Sequence, residues 1–143
     1  MTSQPWFDQA ERDLEVARHL AMHEYHEWAC FVAQQSAEKA VKAVRLLLGT
    51  SIDTIKKHEM SELLAEIPAL HPRPDPQLKK ADILDAHVQG ARYPGYRGRG
   101  PDAPCKTYQS ADSTGAIAIA IAEAILAFCK PLHAQIQTFW KNL

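Results

Sequence analysis

The sequence predicts an all-α protein, an up-and-down bundle of about five helices. Along most of the chain, apolar residues recur at three- and four-residue steps, which is the spacing of one helix face. Prolines and glycines stand where these periodic segments stop. One alanine-rich segment alternates like a strand, but the chain offers no second strand to pair with it.

The first two helices are predicted to form an antiparallel pair. Pro5 marks the start of the first helix, because proline at a first helical position gives up a donor that has no partner there, and the helix runs to about Met22. The second helix runs from about Tyr25 to Gly49, since glycine is a natural left-handed cap at a helix end. Long helices joined by a short link pack side by side.

A short third helix is predicted over residues 58–67, followed by a proline-rich linker. Asp75 is the predicted N-cap of a fourth helix that ends near Gly90. The last segment, GAIAIAIAEAILAFC, is assigned to a helix because alanine is the best helix former and its apolar residues also fit helical spacing. Its predicted apolar faces place Ile117 with Ile121 and Ile125, and Pro131 ends or kinks the helix.

Composition sets limits on function. The 143 residues, 46% apolar and 23% charged, predict one soluble domain over residues 1–143 that needs no cofactor or metal to fold. Lys plus Arg (16) nearly balances Asp plus Glu (17), so any nucleic-acid binding must depend on a local cluster. Three widely spaced cysteines, a polar N-terminus and the expected lack of a membrane-spanning segment predict a cytoplasmic protein that does not enter a membrane.

The familiar catalytic and metal motifs do not fit. His23 and Glu24 lack the second histidine of a HExxH zinc site, so we expect no metal and interpret this stretch as a solvated corner. No nucleophile elbow and no glycine-rich phosphate loop after a strand is present. A polar row on the second helix is either a solvent face or one wall of a ligand groove. It comprises Gln35, Glu38, Lys39 and Lys42, with Glu38 and Lys42 one turn apart as a favourable ion pair.

The segment ARYPGYRGRG, residues 91–100, breaks the helical pattern and predicts a phosphate site. Its arginines offer forked donors, its tyrosines offer stacking platforms, and its glycines let backbone amides approach a ligand. The residues concerned are Arg92, Tyr93, Tyr96, Arg97 and Arg99. The structural alternative is that Arg92 pairs with Asp82 or Asp85 of the fourth helix.

Several of these segments together resemble one family. The second helix contains AQQSAEKAVKA, a spaced His58 and then ARYP follow, and the last helix ends in ILAF. Over nearly the whole chain, from Trp6 to about Phe128, this resembles the HEPN domain in its small stand-alone prokaryotic form. The resemblance implies a helical bundle that forms a homodimer, with a groove at the loop before the last helix. It also implies metal-independent ribonuclease or toxin activity and a minimal nucleotidyltransferase as a partner.

The sequence departs from that family at the R-x4-6-H motif. Arg92 stands at the arginine position, but Arg97 follows where histidine is expected. The sequence thus keeps an arginine that can bind phosphate and lacks the histidine that would transfer a proton. We therefore prefer a homodimeric protein that binds nucleotide or RNA without cutting it. One alternative is a metal-independent ribonuclease in which His58 or His87 transfers the proton. Another is an interaction protein that docks a nucleotidyltransferase, with Tyr93, Tyr96 and Tyr108 as candidate nucleotidyl acceptors.

Overall fold

A computed structural model describes residues 3–67, 75–96, 100–109 and 114–143. These residues are mostly helical and contain no strand, which confirms the all-α prediction. Short extra helices raise the number above the predicted five. The elements are α1 (Gln4–Met22), α2 (His26–Leu47), α3 (Ile52–Lys57), α4 (Met60–Ala65), a 3-10 helix (Pro76–Lys80), α5 (Ala81–Gly90), α6 (Pro104–Thr107) and α7 (Thr114–Lys141).

Three long helices, α1, α2 and α7, form the body of the bundle. α1 and α2 pack closely because small buried residues line their seam, and the Ser36 hydroxyl donates to the Ala10 carbonyl over 2.6 Å. α7 runs parallel to α2, since Gly115 lies beside His26 at one end and the Trp140 indole donates to the Leu47 carbonyl at the other. The shorter helices cover the remaining side of α2 and position the residues of the candidate site.

The predicted third helix over residues 58–67 corresponds to α4, which is two residues shorter at each end, and an unpredicted helix, α3, precedes it. Ser51 caps a helix that begins earlier, because its hydroxyl accepts from the Thr54 amide at 3.2 Å. His58 then adopts an extended backbone, with φ −111° and ψ 145°, and separates α3 from α4. His58 is thereby placed at a corner rather than within a helix.

The caps predicted for the other helices are present. Gly49 follows α2 with φ +90°, the left-handed conformation that favours glycine. The Asp75 carboxylate accepts from the Gln77 amide at 2.8 Å, although the turns it caps form a 3-10 helix before α5 begins. α5 ends at Gly90 as predicted. The proline-rich linker lies largely in residues 68–74, outside the described residues.

The alternating C-terminal segment is a helix, as predicted, but Ile117 lies outside its buried face. Ile121 and Ile125 are fully buried whereas Ile117 is 48% exposed, because each four-residue step turns the side chain about 40° around the helix axis. Pro131 does not end the helix, which continues to Lys141. An interior proline removes one main-chain donor and crowds the carbonyl four residues before it, and the packing of α7 on α1 and α2 offsets this cost.

α7 also corrects the expectation about membranes. By length and composition it qualifies as a helix that could cross a membrane, contrary to the expectation that no segment would. Its apolar stripe, however, is buried against α1 and α2, as in the central helix of a soluble bundle. The cytoplasmic location stays a prediction.

His133 ties the last part of α7 to the start of α1. Its Nε2 lies 2.7 Å from Ser3 Oγ, and its ring stacks on Phe7 with 5.4 Å between the centroids. Burial lowers the pKa of His133 below its ordinary 6.5, because a charged ring loses hydration there, while the Asp8 carboxylate acts in the opposite direction.

This histidine predicts a loss of stability in acid. The unfolded chain binds the proton more tightly than the folded one, so the contribution of neutral His133 is complete above about pH 6.5 and is lost as the pH falls below it. In urea unfolding from about pH 8 to about pH 5, we expect the free energy of unfolding to fall less in His133→Gln, whose amide does not titrate, than in wild type. Equal pH slopes for the two proteins would contradict this expectation.

Candidate ligand-binding site

Arg92 lies just after the end of α5, at the centre of a cluster of aromatic rings. The carbon of its guanidinium group is 4.8 Å from the centroid of the Phe31 ring and 5.2 Å from that of the Tyr93 ring. Its Nε donates to the Val88 carbonyl. Such packing fixes the plane of the guanidinium group while leaving it half-buried.

The ion pair considered for Arg92 does not form. Within the described ranges, no carboxylate lies at ion-pairing distance from Arg92, and its two terminal amino groups donate to no acceptor. Asp85 instead accepts from Gln34 Nε2 at 3.1 Å and from the Ser61 amide at 2.9 Å. The two terminal amino groups of Arg92 therefore remain available to donate paired hydrogen bonds to phosphate oxygens.

The loop after Arg92 combines exposed rings with a permissive backbone. Tyr93 is 53% exposed, whereas Tyr96 is half-buried. Gly95 has φ +77° and Gly100 has φ +83°, so both occupy the left-handed region that glycine alone adopts without strain. The predicted site residues Arg97 and Arg99 lie outside the described residues, so their role stays a prediction.

Trp28 and Phe31 extend this aromatic cluster along α2, and sequence reasoning missed both. Their rings meet edge to face with 6.1 Å between centroids, and Trp28 is 46% exposed. They lie three residues apart and hence on one side of the helix, a spacing that is visible in the sequence. No local signal indicated that Arg92 would lie over Phe31, because Phe31 is on α2 and Arg92 lies after the end of α5.

The polar row of α2 divides into paired groups. Glu38 and Lys42 form the predicted ion pair, with 3.7 Å between Lys42 Nζ and Glu38 Oε1. Lys39 donates to Asp13 of α1 at 2.6 Å, and Gln35 donates to the Gln34 side chain at 2.7 Å. Most of the row thus stabilises the bundle surface, and only Glu38 reaches the cleft described next.

A polar cleft of about 250 Å³ lies beside the Arg92 cluster, between α2, α5 and the corner at His58. It brings together three of the predicted residues from distant parts of the sequence, Glu38, His58 and Tyr96. Its walls carry charges of both signs and amide groups. The other lining residues are Gln34, Lys56, Lys57, Glu59, Asp85, Val88 and Gln89.

The two candidate histidines differ in access. His58 is exposed, and its Nδ1 lies 3.0 Å from Glu62, a contact that lowers the pKa of the Glu62 carboxyl. His87 is buried on α5, with its Nδ1 2.8 Å from the Tyr108 hydroxyl. Tyr108 is also buried, so it is not the exposed nucleotidyl acceptor considered from the sequence. Only His58 is placed where a bound ligand can reach it.

Histidines elsewhere do not assemble a metal centre in the part of the chain that the structure describes. No group of three or more His, Cys, Asp or Glu side chains is placed to hold an ion there. At the corner after α1, His23 Nδ1 lies 2.9 Å from the His19 carbonyl. Burial raises the pKa of the Cys129 thiol to about 12, which makes it an unreactive core residue.

Comparison with known proteins gives one family match. The family model for the HEPN domain matches residues 3–132. A search of curated proteins finds no match at a significant level.

Three solved structures are similar to the chain over almost their entire length. TT1696 from Thermus thermophilus shares 30% identity, with 92% of this chain and 99% of that chain covered and a TM-score of 0.76. ST0689, an archaeal HEPN homologue, shares 34% identity, with coverages of 95% and 98% and a TM-score of 0.66. A HEPN domain protein from Thermotoga maritima, TM0613, shares 25% identity, with coverages of 96% and 98% and a TM-score of 0.51.

Proposed function

Because the chain belongs to the HEPN domain family, we propose that it binds nucleotide or RNA phosphate at Arg92 and does not cleave the RNA. The observation that carries this proposal is the half-buried guanidinium group held between two rings without a carboxylate partner among the described residues. Its terminal amino groups suit the bidentate contacts that phosphate oxygens accept. Arg97 and Arg99 add to this positive charge in the sequence.

The positions of the histidines support binding over cleavage. Transfer of a proton during phosphodiester cleavage requires a base within hydrogen-bond reach of the reacting hydroxyl. His87 is buried. His58 lines the cleft beside Glu38. The Phe31 ring that Arg92 packs on lies seven residues before Glu38 on α2. The position where the family motif has histidine is occupied by Arg97, whose guanidinium group stays protonated at physiological pH and cannot act as a base.

A matched pair of arginine variants tests the binding proposal. We expect Arg92→Ala to weaken binding of single-stranded RNA by about 10- to 100-fold, since hydrogen bonds to a charged group are lost. Arg12→Ala, which removes the same charge from an exposed position on α1, should bind as wild type does. Affinities are measured in EDTA at two salt concentrations, because phosphate contacts make binding salt-dependent. Equal affinity of Arg92→Ala and wild type would refute the proposal.

Incubation of the same RNA with each protein in EDTA also tests the ribonuclease alternative. This alternative is favoured by His58, which faces the cleft with Glu62 at hydrogen-bond distance. If cleavage in EDTA occurs and disappears in both His58→Ala and Arg92→Ala, the chain is a ribonuclease that uses these groups. Intact RNA in every sample supports binding alone.

The partners predicted from the resemblance remain proposals. We propose a homodimer and, in a toxin–antitoxin setting, a minimal nucleotidyltransferase as the second protein. Exposed apolar residues such as Met22, Tyr25 and Ile117 supply surface for such contacts. A pull-down from cells that recovers only this chain would count against the nucleotidyltransferase.

A further inference from the structure

We propose that Trp28 and Tyr93 stack unpaired nucleobases on either side of Arg92, so that the ligand is a single-stranded RNA and not an isolated phosphate or a duplex. This inference rests on the proposed phosphate site and identifies the kind of ligand that occupies it. It assigns a role to Trp28, which lies far from the arginine-rich loop in the sequence.

The contacts form a continuous series across the surface. The Trp28 ring meets Phe31 edge to face, Phe31 lies under the Arg92 guanidinium group, and that group also lies over the Tyr93 ring. Each step spans between 4.8 and 6.1 Å. The residues at the two ends of the series are the exposed ones, Trp28 at 46% and Tyr93 at 53%. The two exposed rings therefore lie at the ends of a series that has the Arg92 cation within it, which provides stacking surfaces on both sides of the proposed phosphate contact.

The series discriminates between forms of nucleic acid. Arg92 covers one face of Phe31 and one face of Tyr93. Tyr93 and Trp28 are nevertheless about half exposed, so these two rings remain available to a ligand. Aromatic side chains bind bases through their π-faces, which are exposed in a single strand and are hidden in a duplex. If a second copy of the chain covered this surface, it would have to place a hydrogen-bond acceptor opposite Arg92. A nucleic acid meets this requirement with a phosphate at every nucleotide.

The test compares an adenosine octanucleotide with an abasic chain of equal length, at the same low salt concentration. We expect Trp28→Ala to weaken binding of the octanucleotide about tenfold or more, because stacking on one ring contributes on that scale. Binding of the abasic chain should not change. Trp140→Ala is the matched control, since Trp140 is 53% exposed at the far end of the bundle. Arg92→Ala should weaken binding of both ligands.

The outcomes separate this inference from the function on which it rests. If wild type binds neither ligand, the phosphate site itself is refuted and the stacking role falls with it. If Arg92→Ala weakens binding while Trp28→Ala binds both ligands as wild type does, the phosphate site stands and the stacking surface is overturned. A Trp28→Ala variant that changes only oligomeric state in size-exclusion chromatography identifies the surface as a contact between copies and also overturns the inference. If Trp28→Ala does not fold, Tyr93→Leu in the loop takes its place, with the same selective loss expected for the octanucleotide.

Discussion

Replacement of Ile125 by alanine is expected to lower the free energy of unfolding by about 2–5 kcal/mol. Ile125 is fully buried on α7, at the point where this helix packs against α1 and α2. Removal of its outer carbons loses the transfer free energy of those atoms and leaves a cavity that close-packed neighbours fill only in part. Urea unfolding followed by circular dichroism measures the difference.

Ile117→Ala is the matched control for this prediction. Ile117 lies on the same helix and is 48% exposed, so its replacement should change the free energy of unfolding by no more than about 0.5 kcal/mol. In a strand, the odd-numbered residues 117, 121 and 125 would share one face and the two variants would behave alike. Similar losses for both variants would contradict the helical packing of α7.

The contrast between these isoleucines shows what the sequence predicts about the fold and what it does not. Local signals predicted the bounds of α1, the glycine after α2 and the cap at Asp75, because each depends on neighbouring residues alone. The buried face of α7 depends on where α1 and α2 lie against it, and here the prediction placed Ile117 on the wrong side. α3 was missed for a different reason, since its main local signal is the cap at Ser51, whose hydroxyl accepts from the Thr54 amide.

Some features of the candidate site could likewise be predicted from local sequence, whereas others depend on how the helices pack. The loop composition identified Arg92 and Tyr93 as a place for an anion, and the structure leaves both accessible. The sequence contained no sign that Phe31 would support Arg92, because a contact between α2 and the end of α5 arises only when the bundle assembles. His87 and His58 looked equivalent in the sequence, and only the packing around α5 distinguishes the buried ring from the exposed one.

Polar residues on α2 were the hardest to place. Gln34 and Arg45 lie on the same helix as the polar row, yet both are buried. Each is compensated from another element: Gln34 donates to Asp85 on α5, and Arg45 contacts the residues around α4. A buried polar group is stable only when its hydrogen bonds are satisfied, and the partners that satisfy these two lie far away in the sequence.

Arg45→Ala is expected to lower the free energy of unfolding by about 2–3 kcal/mol, because hydrogen bonds from a charged group are lost together. Arg45 Nε donates to Thr50 Oγ1 at 2.8 Å, and Nη1 donates to the Leu63 carbonyl at 2.9 Å. Both terminal nitrogens also lie 3.3 Å from Glu66 Oε2. Arg45 is buried, whereas Glu66 is largely exposed, so most of the effect should come from the two neutral acceptors and the packing of the side chain.

Two further variants separate this network from the loss of a charge. Arg18→Ala breaks an ion pair with Glu123 in which both side chains are about half exposed, so it should cost no more than about 1 kcal/mol. Arg45→Lys keeps the charge but not the planar fork, and we expect it to recover only part of the stability lost in Arg45→Ala. If Arg45→Lys is as stable as wild type, the charge alone is sufficient. The geometry that joins the end of α2 to α4 would then not depend on the guanidinium group.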